Sequence, residues 1–172
     1  MAASSLPSCI KDEEDVDKQW RDDNTDYVEQ QEALVGEDGQ KVYERIAPEW
    51  SPAQFVLVQW HTRPAGFATM MRPMSNSTVD IKYEGRLYDG TVFDSSYART
   101  THGDSIYRCR PNEMVVGMWT ALTSMVPGDS VTLVIPAISG YGAATRSKIK
   151  PYSTLIFDVK MKQIVNFDTP SD

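Results

Sequence analysis

The stretch VDIKYEGRLYDGTVFDSSYA, residues 79–98, decides how the rest of the chain is read. Val79, Ile81 and Tyr83 alternate with Asp80, Lys82 and Glu84, which places an apolar set on one face of a β-strand. Asp89-Gly90 is a hairpin turn signal, and TVFD resumes as a second strand. At its end Phe93 and Asp94 stand side by side, followed by two serines, with Arg99 the one obvious basic partner nearby. A plain core strand has no need of that pairing. Asp94 reads either as an Asx-turn with Ser95 and Ser96, held by Arg99, or as the rim of a pocket.

Working outward, residues 1–11 read as a tail, and residues 12–35 as one polar helix or two short ones. Val16, Trp20, Tyr27, Val28, Leu34 and Val35 give it a thin apolar stripe, and Gly36 and Gly39 stop it. Such a helix either packs on the domain as a solvated face or serves as an arm for dimerisation or partner docking. QKVYERI (40–46) alternates as a strand, PEWSP turns, and FVLVQWHT (55–62) is rich in β-branched and aromatic residues. Residues 63–77, with two prolines and three methionines, read as loop with room for a short strand. SIYRCR (105–110) alternates, with Tyr107 and Cys109 facing one way and Arg108 and Arg110 the other. EMVVGMWTALTSM (113–125) is the apolar helical stretch of the C-terminal part, ended by Pro127-Gly128-Asp129. SVTLVIP (130–136) is a buried strand, residues 137–153 a long loop, and TLIFDVKMKQIV (154–165) the last strand.

The sum is an α+β fold: an antiparallel sheet of about five strands wrapped around one short helix, with an acidic helical extension in front. The expected organisation is an acidic tail and extension (1–38), first strand or strands and insertion (39–77), core (78–166) and C-terminal tail (167–172).

Charge and composition narrow the function. Net charge is −7, and residues 12–38 alone hold twelve acids against two bases. The remainder is nearly neutral and has no basic stripe, which argues against nucleic acid as the main partner. No run is long enough and apolar enough for a membrane helix, and MAASSLPSCIKDEEDVDK has no apolar signal core. Cys9 and Cys109 read as reduced thiols of a cytoplasmic protein. His61 and His102 are isolated, so no metal site and no cofactor are expected. Neither a nucleophile elbow nor a phosphate-binding glycine loop is present. What remains is a scattered set of aromatics on separate elements, with Tyr141 in the glycine-bracketed SGYGAA. They read as a plain aromatic core or as the walls of a pocket.

On these residues the chain resembles the FKBP-type peptidyl-prolyl cis-trans isomerases. VDIKYEGRLYDGTVFDSSY is similar to the family's V-x-V-x-Y-x-G-x-L-x-D-G-x-x-F-D-S-S signature, MVVGMW to V-I-x-G-W, PGDSVTLVIP to its G-x-x-x-x-x-x-I-P strand, SGYG to its Y-G loop, and IKPYSTLIFDVKM to I-P-P-x-S-x-L-x-F-D-V-x-L. The likeness covers about residues 78–165, and NTDYVEQQEALVGEDGQKVYERI resembles, more loosely, the macrophage-infectivity-potentiator branch.

The resemblance implies a half-barrel sheet and a proline pocket. Tyr83 and Phe93 would be its walls, Trp119 its floor and Phe157 its back. Val115 and Val116 would open the helix, with the Val116 N–H aimed at a ligand carbonyl. Asp94 and Arg99 would lie at the rim, Tyr141 would offer a hydroxyl, and Ile149 would flank the mouth. Tyr107, with Ile106 as competing alignment, would complete the wall. It implies an isomerase acting on X–Pro bonds of peptides and proteins, assisting folding without a covalent step. It also implies binding of macrolides such as tacrolimus and rapamycin. The rival reading is a non-catalytic module that binds proline segments or a partner. A monomer is the default expectation.

Three departures stand out. With Trp119 as the motif's tryptophan, Met118 falls where the motif has glycine. The 142–150 loop carries Arg146, Lys148 and Lys150, a place for substrate preference to differ from apolar-loop members. And about thirty residues separate QKVYERI from VDIKYEG, so FVLVQWHT is either an added strand or the first one.

Overall fold

The centre of the molecule is built from the strand pair whose period-two alternation is strongest. The computed structural model describes residues 13–98 and 102–167. In chain order the elements are helix α1 (Glu13–Ala33), strands β1 (Glu44–Ile46), β2 (Val56–Thr62), β3 (Thr78–Leu87), β4 (Val92–Ser95) and β5 (Tyr107–Cys109), helix α2 (Val116–Ser124), and strands β6 (Ser130–Ile135) and β7 (Leu155–Asn166). The tail, Cys9 and Arg99 lie outside the described residues, as does the side chain of Val16.

β3 and β7 form the spine, pairing antiparallel from Thr78↔Asn166 to Leu87↔Leu155. The sheet runs β1-β2-β6-β7-β3-β4, and β5 pairs with the first part of β3. It therefore has seven strands, where about five were expected. The two shortest, β1 and β5, have three residues each and fall within QKVYERI and SIYRCR, the runs whose alternation marks them as strands. FVLVQWHT is not a detached insertion. As β2 it pairs with β6, Val58 opposite Leu133, and carries β1 on its outer edge. Residues 63–77 contain one 3-10 turn, Phe67–Thr69, and no strand.

Alternation gives this sheet two apolar faces. Val58, Ile81, Tyr83, Leu133, Leu155, Phe157 and Val159 point to the concave side, where Met118 and Leu122 of α2, and Met125 at its C-cap, pack on them. Leu57, Val134 and Ile156 point to the convex side, where α1 covers them with Val28 and Tyr27. One buried polar residue anchors α1. Asn24, 2% exposed, accepts the Thr154 N–H at its side-chain oxygen (2.6 Å) and donates to the Trp20 carbonyl (2.7 Å). Leu34 and Val35, read as part of the stripe, lie beyond the helix and are exposed.

α2 sits against β6 because Gly117 has no side chain: a Cβ there would come within 2.5 Å of Ile135 Cγ2. That close approach sets the rotation of the helix and decides which side chain faces the sheet.

Candidate active site

At the mouth of the half-barrel, between β3, β4, β5, β7 and the start of α2, lies a cavity of about 410 Å³. Its walls are aromatic. Phe93 and Phe157 meet edge to face (5.4 Å between centroids, 89°), Tyr83 packs on Phe157 at 5.9 Å, and Tyr107 on Tyr83 at 5.4 Å. The edge-to-face geometry sets the positive edge of one ring on the negative face of the next. Gly85 makes the wall possible. It faces inward on β3, and a Cβ there would stand 2.7 Å from both Phe157 Cε1 and Phe93 Cζ.

The pairing of Phe93 with Asp94 has a structural cause. In a regular strand neighbours point to opposite faces. Here Gly85 pairs with Asp94 and Arg86 with Val92, so Phe93 is the extra residue of a bulge. Bulges re-aim side chains, and both Phe93 and Asp94 line the cavity. The Tyr83 hydroxyl donates to Asp94 Oδ2 at 2.5 Å, and the Ser95 N–H donates to Oδ1 at 2.8 Å. The serines complete the clasp: Ser96 Oγ accepts the Tyr83 N–H at 2.9 Å, and the Ser96 N–H donates to the Tyr83 carbonyl at 2.9 Å. Asp94 thus fixes the Tyr83 ring and sets its carboxylate among the groups that line the cavity.

The floor differs from expectation by one residue. Met118, 0% exposed, lines the cavity, while Trp119 does not. Trp119 lies on the outer side of α2 and stacks on Trp50 of the PEWSP turn (5.5 Å, 36°). The same shift holds at the helix start: Val115 lines the cavity and Val116 does not. Val115 is the N-cap, φ −60° and ψ 151°, so the helix's unused N–H groups begin here. The shift follows from Gly117, which occupies the motif's glycine position and puts Met118 where the motif has tryptophan. Helical spacing carried the signal: Met118, Leu122 and Met125 form one stripe, and Trp119 is off it.

Tyr141, Tyr107 and Ile149 line the cavity, as expected, and Ile106 does not. Tyr141 follows a 3-10 turn, Ala137–Ser139, and its loop is tied by the Gly142 N–H to the Ala137 carbonyl and the Tyr152 N–H to the Gly142 carbonyl. Met114 and Glu113 also line the cavity and were not singled out in the sequence. They sit in the turn before α2, because the helix starts at Val116 and not at Glu113 as expected.

The lining contains no histidine or cysteine. Burial pushes the Cys109 thiol up to about 12, with the Glu113 and Asp80 carboxylates adding to it, so it stays protonated and inert. Among the described residues no group of three His, Cys, Asp or Glu could hold a metal ion, and no helix is long and apolar enough to cross a membrane. What the arrangement can do is hold a compact apolar ring on aromatic walls, with hydrogen-bond donors at its edge.

A half-barrel closed on one helix, with an aromatic cavity at its mouth, defines the FKBP-like class. The sequence model of the FKBP-type peptidyl-prolyl cis-trans isomerases matches residues 70–162, and the chain belongs to that family. Among its relatives, a macrophage infectivity potentiator of Trypanosoma cruzi is 42% identical over 96 residues, 54% of this chain and 45% of that protein. The isomerase FkpA of Escherichia coli K12 is 36% identical over 92 residues, 54% of this chain and 33% of that protein. The match thus spans less than half the length of either relative. Among solved structures, a Pseudomonas syringae peptidyl-prolyl cis-trans isomerase aligns over 95% of this chain and 100% of that one, with TM-score 0.68 at 21% identity, a likeness of fold. FkpA of Escherichia coli aligns over 90% of this chain and 61% of that one, with TM-score 0.59 at 25% identity.

Proposed function

We propose that this chain is a peptidyl-prolyl cis-trans isomerase that turns X–Pro bonds of peptides and unfolded proteins. The observation that carries the reading is the cavity itself, whose walls are Tyr83, Phe93, Tyr107 and Phe157 over a Met118 floor.

Rotation about an X–Pro bond faces a barrier of about 18–20 kcal/mol because twisting breaks amide resonance. No bond to the substrate has to form to lower it. The proline ring enters the cavity, and its amide leaves water. In the planar amide the oxygen carries more negative charge, whereas the twisted form has an amine-like nitrogen and a less polar carbonyl. An apolar site therefore favours the twisted form over the planar one, which is differential binding of the transition state. The Val115 N–H and the Tyr141 hydroxyl hold the flanking carbonyls and supply orientation. Asp94, held by Tyr83 and Ser95, acts by keeping the Tyr83 wall rigid and by its charge at the rim.

The macrolides tacrolimus and rapamycin mimic a prolyl segment, and their binding belongs to the same proposal, as does a cytoplasmic setting. The test is protease-coupled isomerisation of a short Leu–Pro peptide, on wild type and Phe93→Ala, with and without rapamycin. Turnover that rapamycin blocks and Phe93→Ala reduces at least tenfold is the expected result. A wild-type rate equal to the uncatalysed one, at micromolar protein, would refute it.

A further inference from the structure

The cavity is not uniformly apolar at its mouth. Its lining includes a loop that carries Arg146, Ser147 and Lys148, and two acids, Asp94 at the end of β4 and Glu113 in the turn before α2. The loop is built, not loose. Arg146 and Ile149 exchange backbone hydrogen bonds, both 3.0 Å, closing a tight turn with Ser147 and Lys148 at its tip. Ile149 is buried beneath it and anchors the turn in the cavity wall. The Arg146 guanidinium lies over the Tyr141 ring, 5.2 Å from its centroid, which holds the charge at the mouth.

The two cations on this turn have no carboxylate within salt-bridge distance among the described residues. Asp94, the acid of the cavity wall, has its carboxylate on Tyr83 and Ser95. Glu113 belongs to the 3-10 turn before α2, and among the described residues no salt bridge joins it to either cation. Lys150, the third base of the segment, points away: its Nζ lies over Trp20 of α1 at 5.0 Å. Among the described residues the charged lining therefore comprises two exposed cations on the 146–148 turn, the exposed Glu113 carboxylate and the half-buried Asp94.

We infer that the pocket selects prolines with an anionic neighbour: a carboxylate side chain adjacent to the proline in sequence, seated against Arg146 and Lys148. This rests on the isomerase reading and names its substrate class. A peptide whose proline fills the aromatic cavity must cross the mouth, so its neighbouring side chains meet these charges. Glu113 and Asp94 repel a carboxylate near them, which assigns the anion to the 146–148 turn, where both lining cations stand. The cations are exposed, so each contributes modestly and is screened by salt. Together they predict a preference of about three- to tenfold for Glu over Gln beside proline at low ionic strength.

The experiment compares matched peptides with Glu, Gln, Lys or Leu before the proline, and a second set with the variation after it. Both kcat/KM for isomerisation and Kd from chemical-shift titration are measured, on wild type and on Arg146→Glu/Lys148→Glu. The expected result is a Glu over Gln preference in at least one of the two positions, collapsing between 0.05 and 0.5 M salt by Debye screening and inverting toward Lys in the double variant. A Glu-to-Gln ratio of one at both positions, in both measurements, would overturn the inference, as would a preference that the double variant retains. The Leu–Pro peptide separates the two readings. Without its turnover the isomerase proposal fails, while the binding ratio still decides the anion preference. With turnover and no ratio, only the charge selection fails.

Discussion

Met118 and Trp119 are adjacent, and the half-barrel gives them opposite duties, so truncating each tests the register of the pocket floor. Met118 has no exposed surface, packs against the concave face of the sheet and lines the cavity. Met118→Ala removes most of a buried side chain, and such truncations cost about 2–5 kcal/mol. For a chain of this size each kcal/mol lowers Tm by about 2–4 °C, so a fall of about 4–20 °C is expected. The floor also drops away from the proline ring, and kcat/KM falls at least tenfold.

Trp119→Ala touches no cavity wall. Its loss is the stack on Trp50, an aromatic pair contributing about 0.5–1.5 kcal/mol beyond its area. Trp50 is 60% exposed and remains tolerable in water. A Tm fall of a few degrees and kcat/KM within about twofold of wild type are expected, since Trp119 is half-buried and does not line the cavity. Met118→Leu keeps the volume and serves as the folded control, with most activity retained. The assays are calorimetry and protease-coupled isomerisation at 10 °C, where every variant is folded. If Trp119→Ala lost isomerase activity at 10 °C while Met118→Ala kept it, the placement of the floor would be refuted.

Three further outcomes follow from named contacts. Gly85→Ala pushes a methyl into the edges of Phe93 and Phe157, 2.7 Å away. Overpacking of this kind costs about 1–3 kcal/mol, and displaced rings should lower kcat/KM more than tenfold; near-wild-type kinetics would show that the rings are not the working wall. Asn24→Ala leaves the buried Thr154 N–H without its partner, which costs about 1–3 kcal/mol and loosens α1, read as a fall in Tm with isomerase activity preserved at 10 °C. The Asp80 carboxyl is held below its ordinary value by hydrogen bonds from Arg108 (2.7 and 2.9 Å) and Gln163 (2.7 Å), against the opposing effect of burial. Its stabilisation is therefore fully present above the unfolded carboxylate pKa, about 3.9, and is lost as pH falls through the lower folded value. Asp80→Asn should flatten the acid limb of stability measured between pH 5 and 2; an unchanged limb would show that Asp80 does not contribute to it.

Much of the site was legible because strand alternation is a local property. Alternation put Tyr83 and Phe157 on the apolar faces of their strands, and their rings do meet, whereas Phe93 joined them only through the family likeness. Arg146 and Lys148 were visible as charges in a loop, but not that Lys150, two residues on, turns to Trp20 of α1. Trp119 was misplaced because an aromatic residue drew the motif onto itself. The helix obeyed a different constraint, the absence of a side chain at Gly117 against Ile135. Glu113 and Met114 read as the first residues of the helix, whereas they form the turn before it and reach the cavity from there.

The sequence by itself determined the strand faces, the hairpin at Asp89-Gly90, the helix between two strand runs, and the family likeness, because each depends on residues close together in the chain. Only the tertiary structure decided that β2 joins β6, that Phe93 is the bulged residue opposite Gly85, and that Met118 rather than Trp119 meets the cavity. These depend on which backbones approach one another across the sheet, and a distance of a few ångströms between residues far apart in sequence leaves no periodic trace in it.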